Sequence, residues 1–225
     1  MKKIVATLAL FLVFACGEAF AGITPAPNLI PIETALKKAG SDTLVIFDVD
    51  DVLLQPKDQL LKMQNKPYLE EIEKEVETRL PKTKVQELYS LIFIHRQIEP
   101  VDKKLISLVI KTQKKGIKTL ALTNCFTGSF GKISSMQNWR IQELTRLGYH
   151  LDQSWAGFKE KVFDKLPSKE PNRFPIFKQG VIFTSSASKG EVLKAFLSYV
   201  DFTPKKILFI DDKKKESVYI KIDIN

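Results

Sequence analysis

The stretch Leu44–Pro56, LVIFDVDDVLLQP, decides the predicted fold and the predicted site. A run of apolar, largely β-branched residues leads directly into three carboxylates, Asp48, Asp50 and Asp51. An apolar run without alternation is typical of a strand that helices cover on both faces. The stretch therefore predicts a buried strand whose carboxyl end gathers acidic side chains.

Three later segments repeat this arrangement of an apolar strand followed by polar residues. IKTLALTNC ends in Thr123 and Asn124, GVIFT leads through a serine-rich loop to Lys189, and ILFIDD ends in Asp211 and Asp212. Helical patterns separate the four strands, which predicts a parallel sheet wound on both faces. The carboxyl ends of such strands line one crevice, so we expect these polar side chains to converge.

The domain organisation follows from the same pass along the chain. Residues 22–40 carry three prolines and then a short helical pattern, so they are predicted as an extended leader and a short helix. The α/β domain is predicted over residues 41–225. Within it, residues 55–99 have helical periodicity over a length too great for a simple connection, which predicts a helical cap insertion.

The first residues have the pattern of an export signal. Lys2 and Lys3 precede an apolar stretch, and Ala19-Phe20-Ala21 forms a small-x-small cleavage site, so residues 1–21 are predicted as a signal peptide. Lipoprotein anchoring at Cys16 is the less favoured alternative, because Phe14 fits lipobox recognition poorly. We expect a periplasmic or secreted protein with no stable membrane span after cleavage.

Composition and charge narrow the class of partner. The chain has 225 residues, and its 44% hydrophobic content is ordinary for a globular protein and excludes a disordered chain. The net charge of +9 favours anionic partners. The lysines are scattered without interleaved aromatic residues, so nucleic acid is not the expected partner and a phosphorylated small molecule is. The oligomeric state stays open.

The chemistry of the acid pairs predicts a metal ion. Two acidic strand ends brought together would repel unless a cation lay between them. Carboxylate oxygens without histidine or thiolate are the ligands that Mg²⁺ prefers, and neither His95, His150 nor Cys125 is placed to build a zinc site. Mg²⁺ is therefore the predicted cofactor.

Phosphoryl transfer is the chemistry that this set of residues favours. An ionised Asp48 beside a metal can attack phosphorus and form an aspartyl-phosphate, while Asp50 protonates the leaving alcohol and later deprotonates water. Thr123 and Lys189 are the predicted phosphate contacts, and Asn124 is a further candidate. Asp51 is interpreted as a turn or helix-start residue instead.

The segments DVDDV, LALTN, SKGEVLKAFL and ILFIDD resemble, in order, the four motifs of the haloacid dehalogenase-like (HAD) superfamily. The D-x-D form is similar to its phosphatase branch, and the chain resembles a group of uncharacterised secreted bacterial proteins within that superfamily. The resemblance implies a Rossmann-like three-layer domain. It also implies Asp48 as nucleophile, Asp50 as acid/base, and a metal site built by Asp48, Asp211, Asp212 and the Asp50 main-chain carbonyl.

The expected function is an exported, Mg²⁺-dependent phosphomonoester hydrolase that acts through an aspartyl-phosphate. The chain stops thirteen residues after Asp212, so the C-terminal edge of the sheet is expected to be truncated. The alternative is therefore a catalytically inactive or truncated protein of the same fold that serves as a binding protein.

Overall fold

A computed structural model describes residues 22–166, 172–214 and 217–224. The predicted signal peptide over residues 1–21, with its alternative anchoring site at Cys16, lies outside the described residues. Within the described residues, no helix has both the length and the apolar character that crossing a bilayer requires.

Ten strands and six α-helices form the described chain. In chain order they are β1 Gly22–Ala26, α1 Leu29–Lys37, β2 Thr43–Phe47, β3 Leu54–Pro56, α2 Lys66–Arg79, α3 Lys82–His95, β4 Ile98–Pro100, α4 Lys103–Lys114, β5 Lys118–Thr123, α5 Met136–Leu147, β6 Lys161–Val162, β7 Ile176–Lys178, β8 Val181–Phe183, α6 Lys189–Tyr199, β9 Lys206–Lys214 and β10 Ser217–Ile224.

Eight of the strands form one central sheet in the order β1-β10-β9-β2-β5-β8-β7-β6. The four predicted strands, β9, β2, β5 and β8, pair in parallel at its centre. The prediction of a parallel sheet needs correction at both edges, because β10 and β1 pair antiparallel on one side and β7 and β6 on the other. The fold is α/β with a mixed, mostly parallel sheet.

The edge beyond β9 differs from the truncated edge that the sequence predicts. β10 pairs with β9 in the register Ile220↔Ile210, and β1 pairs with β10 in the register Thr24↔Ile220. The segment predicted as an extended leader therefore supplies a sheet strand. A pattern of strands alternating with helices predicts parallel neighbours, so it predicts neither of these antiparallel pairings.

Both faces of the sheet are covered, which explains the unbroken apolar runs in its central strands. Val45 and Phe47 of β2 face one core with α1, α4 and α5, while Leu44 and Ile46 face a second core with α6 and the 3₁₀ turn at Leu151–Trp155. All four of these β2 side chains are fully buried. Burial on both faces removes the polar alternation that a half-exposed strand shows.

The predicted insertion over residues 55–99 contains α2 and α3, which lie between β3 and β4. These two short strands pair antiparallel, with Leu54 opposite Pro100, and close the base of the helical pair. Two 3₁₀ turns at Gln59–Leu61 and Met63–Asn65 precede α2. The role of the segment as a cap stays a prediction.

Candidate active site

Asp48 lies at the carboxyl end of β2 and is 6% exposed. Both carboxylate oxygens have partners: Oδ1 accepts from the Val49 N–H at 2.8 Å, and Oδ2 accepts from Lys189 Nζ at 2.7 Å. The Asp48 N–H donates to the Ile210 carbonyl on β9 at 2.8 Å. The backbone pairing and the two side-chain bonds together fix the orientation of the carboxylate.

The turn after Asp48 is tight and brings β3 back beneath the strand end. The amides of Leu53 and Leu54 both donate to the Val49 carbonyl, at 2.9 and 3.1 Å. Asp51 adopts a left-handed backbone with φ of 59°, and its N–H donates to the Leu54 carbonyl at 2.8 Å. Aspartate tolerates this conformation better than most residues, which agrees with the interpretation of Asp51 as a turn residue.

Lys189 reaches the acid cluster from the first position of α6. Its ammonium lies 2.7 Å from Asp48 Oδ2 and 3.2 Å from Asp211 Oδ2. Before α6, Ser185 and Ser186 both have positive φ, 47° and 74°. Non-glycine residues held there cost about 1 kcal/mol or more each. The loop between β8 and α6 is therefore held in a strained conformation that places Lys189 against the acids.

Asp48, Asp211 and Asp212 form a carboxylate cluster at the ends of β2 and β9. One oxygen from each lies within 4.8 Å of the others, and all three are at least partly buried. Burial raises the pKa of Asp48, with Asp211 adding to the effect and Lys189 opposing it. Burial and repulsion from the other two carboxylates also raise the pKa of Asp212, to about 6.

Burial is the main cause of both raised pKa values, and repulsion between the carboxylates adds to it. A bound divalent cation would offset both effects, and three carboxylate oxygens of this spacing are suitable ligands for Mg²⁺. The residues present therefore fit the predicted cofactor.

Asp50 does not join the carboxylate cluster through its side chain. Its carboxylate is half-exposed and pairs with Arg140 of α5, with Nη2 lying 3.0 Å from Oδ1 and 3.1 Å from Oδ2. Of the predicted metal ligands, the structure thus brings together the side chains of Asp48, Asp211 and Asp212. The ligand role of the Asp50 main-chain carbonyl stays a prediction.

Arg140 belongs to a buried chain of charges that the sequence analysis did not identify. Glu143, 1% exposed, accepts from Arg140 Nη1 at 2.9 Å and from Arg96 through Nε and Nη2 at 2.9 to 3.2 Å. The order of contacts is Arg96, Glu143, Arg140, Asp50. The helical spacing of the sequence could have indicated that Arg140 and Glu143 are buried, because they lie on the same helix face as the buried residues Met136 and Leu144.

The two predicted phosphate contacts on β5 also lie at the strand ends. Thr123 is 2% exposed, and its hydroxyl accepts from the Cys125 N–H at 3.3 Å. The Asn124 side-chain oxygen accepts from the Thr184 hydroxyl at 2.9 Å, across from the end of β8. The Thr184 N–H donates to the Thr123 carbonyl at 2.9 Å. These bonds fix the ends of β5 and β8 relative to each other.

A cavity of about 440 Å³ opens above these residues. Its polar lining consists of strand-end residues and one arginine, and its apolar lining comes from α3, α5 and the loop after β5. The polar members are Asp48, Asp50, Thr123, Asn124, Asp212 and Arg140; the apolar and aromatic members are Tyr89, Phe93, Phe126, Phe130, Met136 and Trp139, with Cys125 between the two groups. A volume of this size is that of a small-molecule site.

Cys125 lies at the edge of the cavity as a partly buried side chain. Burial raises the pKa of its thiol to about 11, with Arg140 opposing the effect. A thiol of that pKa stays protonated at neutral pH, so Cys125 is not an activated nucleophile in the metal-free protein.

Comparison with known proteins gives relatives without a described activity. The uncharacterized protein RP296 of Rickettsia prowazekii (strain Madrid E) is 26% identical over 194 residues, which cover 83% of this chain and 66% of the relative. An uncharacterized protein of Rickettsia bellii (strain RML369-C) is 26% identical over 181 residues, which cover 75% of this chain and 59% of the relative. The chain thus spans less than two thirds of the length of these relatives. No solved structure matches it.

The family comparison corrects the resemblance drawn from the four motifs. The family model that matches, over residues 25–221, is described as Protein of unknown function (DUF2608), and no haloacid dehalogenase family matches. Short motifs after apolar strands occur in many α/β proteins, because they follow from the geometry of strand ends. By this match over most of its length, the chain belongs to the family described as Protein of unknown function (DUF2608).

Proposed function

We propose that this protein is a Mg²⁺-dependent phosphomonoester hydrolase that works through an aspartyl-phosphate on Asp48. The observation that carries the proposal is the environment of Asp48. A buried, doubly hydrogen-bonded carboxylate lies beside a lysine and two further acids at the floor of a small-molecule cavity. Acid clusters that combine burial with a specific charged partner are candidates for catalysis.

The chemistry assigned to Asp48 is nucleophilic displacement at phosphorus. A carboxylate oxygen of Asp48 forms a bond to phosphorus, the bond from phosphorus to the ester oxygen breaks, and the alcohol leaves with a proton. A water molecule then attacks the same phosphorus, and the Asp48 carboxylate is released with inorganic phosphate. The electron pair of each broken bond goes to the departing oxygen.

The neighbouring residues take the remaining roles. Asp50, held by Arg140, gives the proton to the leaving alcohol and later takes one from the attacking water. Lys189 balances negative charge on the transferring phosphoryl group, and Thr123 and Asn124 contact its oxygens. Before a phosphate arrives, Lys189 pairs with Asp48 and Asp211, so substrate binding exchanges one anionic partner for another.

Mg²⁺ would be held by Asp48, Asp211 and Asp212. When bound, it supplies positive charge that keeps the acids ionised and attracts a phosphate oxygen. In the same proposal, α2 and α3 act as a cap, since Tyr89 and Phe93 of α3 line the cavity together with the acids. Export through residues 1–21 remains part of the proposal, as does a phosphorylated small molecule as the substrate.

The test is hydrolysis of para-nitrophenyl phosphate by the purified protein. We expect turnover that needs Mg²⁺, stops with a chelator and falls at least about a thousandfold in Asp48→Asn. Asp42→Asn is the matched control, because Asp42 is an exposed aspartate at the opposite end of β2. Hydrolysis that is absent, or indifferent to both chelator and Asp48→Asn, would contradict the proposal and favour a binding protein.

A further inference from the structure

Five aromatic side chains line the same cavity as the acids, namely Tyr89, Phe93, Phe126, Phe130 and Trp139. None of them belongs to the two hydrophobic cores described for the sheet. All five are partly exposed, whereas the aromatic residues of the second core, such as Phe177 and Phe196, are fully buried. We call these five residues the aromatic wall.

Four of the five rings of the wall form a connected group. Phe93 lies 5.4 Å from Trp139 and 5.9 Å from Phe130, and Phe126 lies 6.4 Å from Phe130, measured between ring centroids. These separations fall in the range of favourable ring contacts. The wall therefore joins α3, α5 and the loop after β5 into one apolar surface.

Three guanidinium groups lie against two rings of the aromatic wall, those of Trp139 and Phe126. The Arg96 and Arg140 guanidiniums lie 5.0 and 4.8 Å from the Trp139 ring, and the Arg173 guanidinium lies 5.3 Å from the Phe126 ring. Arg173 also donates to the carbonyls of Thr127 and Ser129, at 2.8 and 2.9 Å. The loop that carries Phe126 and Phe130 is thus anchored rather than left free.

Most polar groups of the cavity belong to the strand-end residues and Arg140, and the aromatic wall adds the Tyr89 hydroxyl and the Trp139 indole N–H. The Tyr89 hydroxyl is buried and has no hydrogen-bond partner among the described residues. Among the described lining residues, Arg140 is the one cation, and it already faces Asp50 and Glu143. No second cationic side chain among the described lining residues is offered to an acidic leaving group, and the two polar atoms of the aromatic wall are too few to satisfy the hydroxyls of a sugar. A phosphate on Asp48 would leave its ester group against a largely apolar surface.

We propose that the substrate is a phosphomonoester whose alcohol carries an aromatic ring, and that the aromatic wall binds this ring. The inference rests on the proposed function for the phosphate end alone. Its own basis is the continuity of one cavity from the carboxylates to the wall. Burial of a ring against such a surface contributes through lost water contact and through ring-ring attraction.

Binding of phosphonates tests this inference separately from catalysis, because a carbon–phosphorus bond is not hydrolysed by this chemistry. We expect calorimetry with Mg²⁺ present to give about tenfold or greater preference for benzylphosphonate over methylphosphonate. The preference should fall severalfold in Phe130→Ala and less in Phe130→Leu, which keeps apolar volume. Phe158→Ala is the matched control, since Phe158 packs on Trp155 and Tyr199, away from the cavity.

Equal affinity for the two phosphonates, no binding of either, or a preference that Phe130→Ala leaves unchanged would overturn the inference. A preference for benzylphosphonate in a protein that hydrolyses no ester would uphold the ring site and remove the proposed catalysis. Hydrolysis of esters without a preference for benzylphosphonate would uphold the proposed catalysis and remove the ring site. Comparing kcat/KM for phenyl phosphate and adenosine 5′-monophosphate, each against glycerol 1-phosphate, distinguishes a simple aryl alcohol from a nucleoside as the source of the ring.

Discussion

Replacing Glu143 by glutamine should destabilise the protein more than any other single charge change in the described α5 helix. The Glu143 carboxylate is 1% exposed and accepts four hydrogen bonds, three from Arg96 and one from Arg140. The two arginine side chains are 9% and 6% exposed. Glutamine keeps nearly the same shape but removes the negative charge that these two guanidiniums share.

The size of the stability loss follows from the two buried guanidinium charges that remain after the substitution. Removing one partner from a buried ion pair costs about 3–5 kcal/mol, because the remaining charge has lost water without a counter-charge. Arg140 retains Asp50 as a partner, so the lower end, about 3 kcal/mol, is the expected loss. That is a large fraction of the 5–15 kcal/mol by which a typical domain is stable.

Urea unfolding followed by circular dichroism measures the effect. With an m-value of about 2–3 kcal/mol/M for a chain of this size, the midpoint should fall by about 1–1.5 M. Glu87→Gln is the matched control, since Glu87 pairs with Lys84 and Lys132 at 2.9 and 2.8 Å but on the surface, and its midpoint should move far less. A loss for Glu143→Gln no larger than that of the control would refute the reasoning.

Three further predictions concern other parts of the fold. Gly131→Ala should lower the free energy of unfolding by about 2–3 kcal/mol, because φ is +54° and a Cβ would overlap the Gln86 carbonyl. The control Gly128→Ala, with φ of +77° and open space around the Cβ, should cost only about 1 kcal/mol. Equal losses in urea unfolding would contradict this prediction. Burial raises the folded pKa of Asp212 to about 6, so its ionised form destabilises the fold above that pH, and the penalty disappears as the pH falls through 6 toward the ordinary carboxyl value. Metal-free Asp212→Asn should therefore melt above the wild type at pH 7.5 and approach it at pH 5, and a variant that melts lower at pH 7.5 would show the opposite sign. Trp155→Phe should lower the free energy of unfolding in urea by about 2–3 kcal/mol. The change leaves a cavity in the second core and removes the 2.7 Å hydrogen bond from the indole N–H to the Thr119 carbonyl. A loss below about 1 kcal/mol would show that the core closes around phenylalanine.

The central strands and the strand-end residues were accessible from the sequence for a simple physical reason. A strand covered on both faces must be apolar throughout, and the residues that follow it in a parallel sheet must meet at one edge. Asp48, Thr123, Lys189 and the pair Asp211 and Asp212 were found in this way. Each of these residues follows an apolar segment of the sequence, and that segment forms a central strand of the sheet.

The aromatic wall and the charge chain from Arg96 to Asp50 were not accessible in the same way. Up to 46 residues separate the wall residues Phe93, Phe130 and Trp139 in the chain. In the sequence, each of them looks like an ordinary helix or loop residue. Only the packing of α3 and α5 over the strand ends brings them together. The same packing, rather than any motif, makes Arg140 the partner of Asp50 and leaves Asp50 outside the carboxylate cluster.

The sequence by itself therefore determined the parallel centre of the sheet and the identity of the acids at its carboxyl edge, because apolar strands and their ends are local features. The tertiary structure alone decided the antiparallel edges, the split of the carboxylates between Lys189 and Arg140, and the shape of the cavity above them. The pairing of β1 with β10, the split of the carboxylates and the cavity depend on contacts between residues far apart in the chain, and no local pattern records which surfaces will meet.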